Sequence, residues 1–330
     1  MSVRIKKFIL RLILNLFKIR AKFLFDVDKQ LPNKILFISN NVSFLDSIVI
    51  YAFLPTNPIL ALNGYIIRKK WVKFCLKLFG ADFFEFNPLD PVSVKYTISL
   101  LDSGRNVFLF PEGRMTKNGA LMKIYEAPAI IADRTKAQII PMWINGLQFS
   151  YFSILKGKNP LRLFPKTEVV ISYPVGLQLD DQYRKQRDYL SNVVHKILLE
   201  LSFKVQYREN DSIFNMAMRA SKVYGKKNFF TRPKIVEDAK REPQSYKQIL
   251  VKSFLFGNYF KKQFQPQEAI GIMLPNSCEC LYIFFALTAY EIVPAMINFS
   301  SGIFNILSCC KTAVVKKYNY IKKFYTGWKI

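Results

Sequence analysis

Lys34-Ile35-Leu36-Phe37-Ile38-Ser39-Asn40-Asn41-Val42-Ser43-Phe44-Leu45-Asp46 is the stretch on which the fold turns. A short apolar run closed by Asn-Asn reads as a buried strand that ends in a loop. The loop opens into a helix over Phe44–Phe53, stopped by Pro55. The alternation then repeats, with a strand near Ile59–Asn63, a helix near Ile66–Phe79 ended by Gly80, a short strand near Ala81–Phe86, and a helix from Pro91 to Ser103-Gly104. Val107–Phe110 is a second apolar strand, and it runs straight into Pro111-Glu112-Gly113-Arg114. Leu121–Lys136 reads as a helix that Pro128 kinks or delays, Gln138–Ile144 and Thr167–Tyr173 as strands, and Tyr183–Val205 as a long closing helix. Strands alternating with helices specify an α/β sheet flanked by helices, and sites in such sheets form beyond the carboxyl ends of strands. Both loops lie at such ends, so they can meet in space.

The chemistry of the two loops is complementary. Asn41 and Asp46 stand five residues apart on a turn entering a helix, which lets their side chains converge. An amide oxygen accepts a hydrogen bond but takes no proton near neutral pH. Asp46 is a weak base at an ordinary pKa of about 3.9 unless burial raises it. In the second loop Pro111 ends strand pairing, Gly113 lets the backbone approach a ligand, and Glu112 and Arg114 project at the turn. The planar fork of Arg114 suits a phosphate, while Glu112 accepts from a hydroxyl or anchors Arg114. A plain surface Glu-Arg pair on a tight turn fits the same residues. The single histidine, His195, falls in the closing helix on a packing or surface face.

The 330 residues carry a formal charge of +26, which invites a polyanionic partner. Abundant Lys, Asn, Ile, Phe and Tyr together also follow from AT-rich coding DNA. No zinc-finger spacing, RNP-like strand or helix-turn-helix signal accompanies the cations, which argues against nucleic acid. The five cysteines, Cys75, Cys278, Cys280, Cys309 and Cys310, have no Cys-x-x-Cys spacing, so reduced thiols and no metal site are expected. At the amino terminus, Arg11, Lys18, Arg20 and Lys22 interrupt the apolar run and argue against a spanning helix. On a helical wheel Arg4, Lys7, Arg11, Lys18 and Lys22 fall within an arc of roughly 60°, opposite Ile9, Leu12, Ile13, Leu16 and Leu24. Two arrangements fit: an amphipathic helix lying on anionic lipid through its cations, or a helix packed on the domain with those cations in water.

Four segments follow: a basic amphipathic membrane-contact helix over 1–30, the α/β domain over 31–206, a linker over 207–240 and a second unit over 241–330. Polar Gln206–Ser212 and charged Lys226–Arg241 mark the break. The second unit is read as a helix near Ser245–Lys262, a strand and turn over Ala269–Asn276, and apolar Leu281–Ala289. Lys311–Ile330 holds six lysines and no acid, and gives no obvious stop to a domain.

Taken together, Asn41–Asp46, Phe110-Pro111-Glu112-Gly113-Arg114 and Ile139-Ile140-Pro141 resemble the blocks of the glycerol-phosphate and lysophospholipid acyltransferase family. Leu121-Met122-Lys123-Ile124-Tyr125 and Leu161-Arg162-Leu163-Phe164-Pro165 are similar to one subgroup, the bifunctional 2-acylglycerophosphoethanolamine acyltransferase/acyl-acyl-carrier-protein synthetases. Ile270–Asn276 and Pro294–Asn298 resemble the opening of an adenylate-forming (AMP-binding) domain, without the family's Ser/Thr/Gly-rich phosphate loop, so synthetase activity is not expected. The resemblance implies a glycerol-phosphate acyltransferase-like sheet flanked by helices, followed by an incomplete α/β fragment. It also implies transfer of an acyl chain from acyl-carrier protein or acyl-CoA to a lysophospholipid, at the cytoplasmic face of the inner membrane and without a cofactor. Position by position, Asp46 is then the orienting acid, and Glu112, Gly113 and Arg114 bind the acceptor's glycerol phosphate. Ser43 and Phe44 line the box. Asn41 occupies the position of the family's catalytic His, so impaired transfer is expected.

Overall fold

The computed structural model describes residues 2–155, 161–177, 179–180, 182–183, 186–207, 211–225, 234–238, 242–298 and 300–315. Expectations on Lys226–Arg241 and Lys311–Ile330 therefore fall largely outside the described residues. The chain divides into two compact units, Met1–Tyr207 and Arg208–Ile330.

The first unit runs α1 (Val3–Leu16), β1 (Ile19–Phe23), α2 (Val27–Gln30), β2 (Ile35–Ser39), α3 (Asp46–Phe53), β3 (Ile59–Leu62), α4 (Gly64–Ile67), α5 (Lys70–Leu78) and β4 (Phe83–Glu85). It continues with α6 (Pro91–Asp102), β5 (Val107–Leu109), α7 (Ala127–Thr135), β6 (Gln138–Asn145), β7 (Thr167–Ile171) and α8 (Arg187–Gln206). One seven-stranded sheet carries the order β1-β7-β6-β2-β5-β3-β4. From β6 to β4 all pairs are parallel; β7 pairs antiparallel with β6 and parallel with β1. Every residue of β2 is buried because helices cover both faces, which is why the strand is apolar throughout rather than alternating. Phe37, Leu60, Phe108 and Ile140 point to one face, under α1, α3 and α5. Leu36, Ile38, Leu109 and Ile139 point to the other, under α6, α7 and α8. Each such side chain contributes roughly 1.5–3 kcal/mol by leaving water.

Pro141 sits in the interior of β6 without penalty. Its carbonyl accepts from Ser172 N–H on the β7 side, so its missing donor also faces that side. There the ladder is interrupted, between the isolated Ile139–Val175 bridge and the Met142–Ile171 pair.

Three expectations need correction. The basic helix does not run on to Leu24: Phe17 closes α1, Lys18 takes φ 60°, and Ile19–Phe23 become a strand. The helix expected over Ile66–Phe79 is two, α4 and α5, with Lys69 extended between them. Residues 207–240, expected as a linker, contain a helix, α9 (Ile213–Tyr224), and a short strand, β8 (Lys234–Val236).

The second unit continues with β9 (Gln244–Ser245), α10 (Tyr246–Gln263), β10 (Ala269–Ile272), α11 (Cys278–Ala289), β11 (Val293–Met296) and α12 (Ile303–Thr312). A capping box between Ser245 and Gln248 starts α10. The strands β10 and β11 pair in parallel with α11 as their crossover, and Phe260, Ile272 and Leu287 share a core of their own.

Candidate functional site

The strands β2 and β5 are parallel neighbours in the register Ile38–Leu109, so the loops leaving their carboxyl ends emerge side by side. Asn41 N–H donates to Glu112 Oε1 at 3.2 Å, and Thr116 N–H donates to the Asn41 carbonyl at 2.9 Å. The two sequence-distant motifs are thereby clamped, the first loop's backbone to the Glu112 carboxyl and to the backbone two residues past Arg114. Within the first loop, Asp46 Oδ2 accepts from Val42 N–H at 2.5 Å and Ser43 N–H at 2.9 Å, closing a turn at the start of α3. Its other oxygen, Oδ1, has no partner among the described residues, nor do Oδ1 and Nδ2 of Asn41. Asn41 and Asp46 are both fully buried. Burial pushes the Asp46 carboxyl up to about 8 against the pull of its two N–H donors, and the Glu112 carboxylate adds to the rise. Asp46 therefore offers a buried oxygen aimed at no protein donor, and position 41 holds an amide that neither reaches it nor takes a proton.

Glu112 also has a structural task. Its second oxygen accepts from Met122 N–H at 2.8 Å, so backbone donors occupy both oxygens, and the side chain is buried. It staples the Pro111–Arg114 turn to both flanking loops. Burial lifts its carboxyl to about 7, against these two donors and the Arg114 charge. Gly113 adopts φ 60°, and a Cβ there would stand 2.8 Å from Pro88 Cγ, so glycine is required on both grounds. Its carbonyl accepts from Asn63 Nδ2 at 2.6 Å. Arg114 is exposed, with no ion pair among the described residues.

Ser43 does not line an open surface. It is fully buried, with Oγ 3.2 Å from Ser150 Oγ and accepting from Leu45 N–H. Phe44 is half-buried, 5.3 Å from the Tyr65 ring, with Lys69 Nζ 5.1 Å above it. Three positioning residues escape the sequence reading. Asn40 exchanges two hydrogen bonds with the backbone of Ile144 and so extends the β2–β6 ladder by a rung. Asn63 ties the β3 end to Gly113, and Ser153 Oγ donates to the Val42 carbonyl at 2.9 Å. A polar residue directly after an apolar strand was the available signal for the two asparagines; none marked Ser153. His195 is half-buried on α8 and joins neither loop.

The amino-terminal cations divide. Lys7 is buried, and its Nζ donates to the carbonyls of Leu54 at 2.7 Å and Thr56 at 2.8 Å, closing the carboxyl end of α3. Burial, reinforced by neighbouring Arg11, lowers its pKa to about 7. Arg11 donates to the Ala52 carbonyl at 2.6 Å. Lys18 and Lys22 are exposed but lie beyond α1, which leaves Arg4 as the one member of the expected stripe that α1 holds out to solvent. The helix is thus turned opposite to both expected arrangements: its cations grip the domain, while Ile5, Phe8, Leu12 and Leu16 are exposed.

A cleft of about 700 Å³ lies between α1, β1 and the end of α3, lined by Arg11, Arg20, Phe23 and Phe53, and neither motif contributes to it. No helix among the described residues is long and apolar enough to cross a membrane.

Residues 24–145 match the Acyltransferase family. The matched segment takes in both loops and the whole of β6. Among solved structures, the chain is similar to the 1-acyl-sn-glycerophosphate (LPA) acyltransferase PlsC from Thermotoga maritima. Identity is 17%, the alignment covers 60% of this chain and 79% of that one, and the TM-score is 0.43.

Proposed function

We propose that residues 31–206 form an acyltransferase domain built to move a fatty acyl group from acyl-carrier protein or acyl-CoA to a lysophospholipid hydroxyl, with transfer impaired at Asn41. The observation that carries this reading is the clamp between the Asn41–Asp46 loop and the Phe110–Arg114 turn, inside the segment that matches the Acyltransferase family. Such transfer needs a base for the hydroxyl proton, a carboxylate to orient that base, and a cation for the acceptor's phosphate. Asp46, with Oδ1 unpartnered, is the orienting acid; exposed Arg114 is the phosphate contact; Glu112 and Gly113 hold the turn that presents it. The base is what position 41 lacks. We place the chain peripherally on the cytoplasmic face of the inner membrane, meeting lipid through the apolar side of α1. Residues 241–330 are read as the opening of an adenylate-forming domain.

A second reading, a non-catalytic membrane-associated lipid-binding remnant, is favoured by the unpaired amide of Asn41. Assay of acyl transfer to lysophosphatidylethanolamine separates the two. Asn41→His is expected to raise the rate by about 10²–10⁴, the usual worth of a positioned base. Adding Asp46→Asn to that variant should remove the gain. A folded Asn41→His variant without transfer supports the remnant, and robust transfer by the unmodified chain sinks the role given to position 41.

A further inference from the structure

The helices α1 and α5 lie over the same face of the sheet and both bury their inner residues, Leu10 and Leu14 from one and Val72 and Leu76 from the other, in the core that contains α3. All eight residues of α3 are buried, so its two neighbours form the outer surface of that layer. They meet at Gly80, where a Cβ would lie 3.4 Å from Val3 Cγ2. The solvent side of α5 was claimed by no motif. It carries Lys70, Lys73 and Lys77 interleaved with Trp71, Phe74 and Leu78, all exposed, and α5 contains no acid. Phe74 and Leu78 have more than half of their surface in water, and Trp71 packs on Phe152 with about a third of its own still exposed. The alternation of aromatic and Lys side chains matches the water–lipid boundary, where rings sit among headgroups and ammonium groups meet lipid phosphates.

We propose that α5 is a docking helix for an anionic bilayer surface, which it meets together with the outward apolar side of α1. The charge complementarity is one-sided, with three cations on nine residues and no carboxylate to repel lipid phosphate. The placement also carries function. Trp71 packs 5.2 Å from Phe152, the Phe152 carbonyl accepts from Phe44 N–H, and Lys69 at the head of α5 lies over the Phe44 and Tyr65 rings. The amino-terminal end of α5 thus abuts the Asn41–Asp46 loop, and a single-chain lipid leaving the bilayer there reaches the loop without crossing open water. Only this last step rests on the lysophospholipid reading; the docking itself does not.

Sedimentation with vesicles tests it, using the full chain on phosphatidylcholine alone and on phosphatidylcholine mixed with phosphatidylglycerol. No acyl donor is present, so a chain without transfer activity can still pass. The unmodified chain should bind the mixed vesicles more tightly. Replacing Lys70, Lys73 and Lys77 with Gln should weaken that binding roughly a hundredfold, at about 1 kcal/mol per cation. Trp71→Ser with Phe74→Ser should weaken binding to both vesicle types. The three lysines and Phe74 are exposed, so an unchanged thermal midpoint is expected of the Gln variant; Trp71 also packs on Phe152, so the Ser pair is compared with the Gln variant only while its midpoint shows it folded. As a readout independent of those variants, brominated lipid should quench emission in the unmodified chain more than in Trp71→Phe. Equal binding to the two vesicle types, undiminished binding by both α5 variants, or equal quenching with and without Trp71 would each overturn the proposal. So would a result in which α5 captures an acidic carrier protein while vesicles are ignored.

Discussion

Asn41 and Asp46 share a buried turn yet do not bond to each other, and the protons there respond to pH in a defined direction. The Asp46 and Glu112 carboxyls are held near 8 and 7, above their ordinary 3.8 and 4.5, chiefly by burial. Between about pH 4 and pH 7 the native state keeps protons that the unfolded chain has released, so stability falls as pH rises. Lys7 has the opposite sign. Its pKa is lowered from 10.5 to about 7, so the cost of burying its charge is full below pH 7 and is relieved as pH climbs toward 10.5. Thermal unfolding followed by circular dichroism should therefore give a higher midpoint near pH 5 than near pH 7.5, with a partial recovery above about pH 8. A midpoint that rises steadily from pH 5 to pH 7.5 would contradict the buried placement of the two carboxyls.

At the scale of elements, α1 is oriented by what its cations hold. Lys7→Met keeps the apolar stem but leaves the Leu54 and Thr56 carbonyls bare, a loss of about 1–3 kcal/mol that relief of the buried charge partly offsets. The expected result is a net destabilisation at the low end of that range, with the rise in stability between pH 7 and pH 10 flattened in the same titration. A Lys7→Met chain with unchanged midpoint and unchanged slope would mean that Lys7 does not close α3.

The core strands were legible because β2, β5 and β6 are apolar runs bounded by Asn, Pro and Gly, and burial on both faces produces that pattern directly. The end of α1 was not legible. Lys18 and Lys22 fit the basic side of a helical wheel, with Arg20 an exception on its apolar side that the alternation of an edge strand accommodates, and the break itself is a Lys at positive φ, which no residue type announces. Nor was the inward turn of Lys7, whose partners are backbone carbonyls without a sequence signature. In the candidate site, the meeting of the two loops was legible and the hydrogen bonds of their side chains were not. Glu112 looked like a ligand group because the two N–H donors that occupy it come from Asn41 and Met122, on other loops. Because β1 belongs to the sheet edge, deleting residues 1–25 would strip a strand as well as α1, and point changes are the cleaner probe.

At the scale of the molecule, each unit closes its own cores, with Phe37 and Ile38 at the centre of one and Phe260, Ile272 and Leu287 of the other. A chain ending at Tyr207 should therefore fold and keep the melting transition of the first unit in calorimetry; failure to fold would show that the first unit depends on residues beyond 207. A domain's margin is only about 5–15 kcal/mol. Against it stands the amide at position 41, enclosed without a partner among the described residues, where an unsatisfied buried polar group costs roughly 1–3 kcal/mol. Asn41→Val, apolar and closer to Asn in volume than Leu is, is expected to raise the thermal midpoint of the whole first unit, and a lower midpoint would show that the amide is satisfied. Selection for stability alone would favour that exchange, so position 41 holds a residue that the fold, left to itself, has reason to lose.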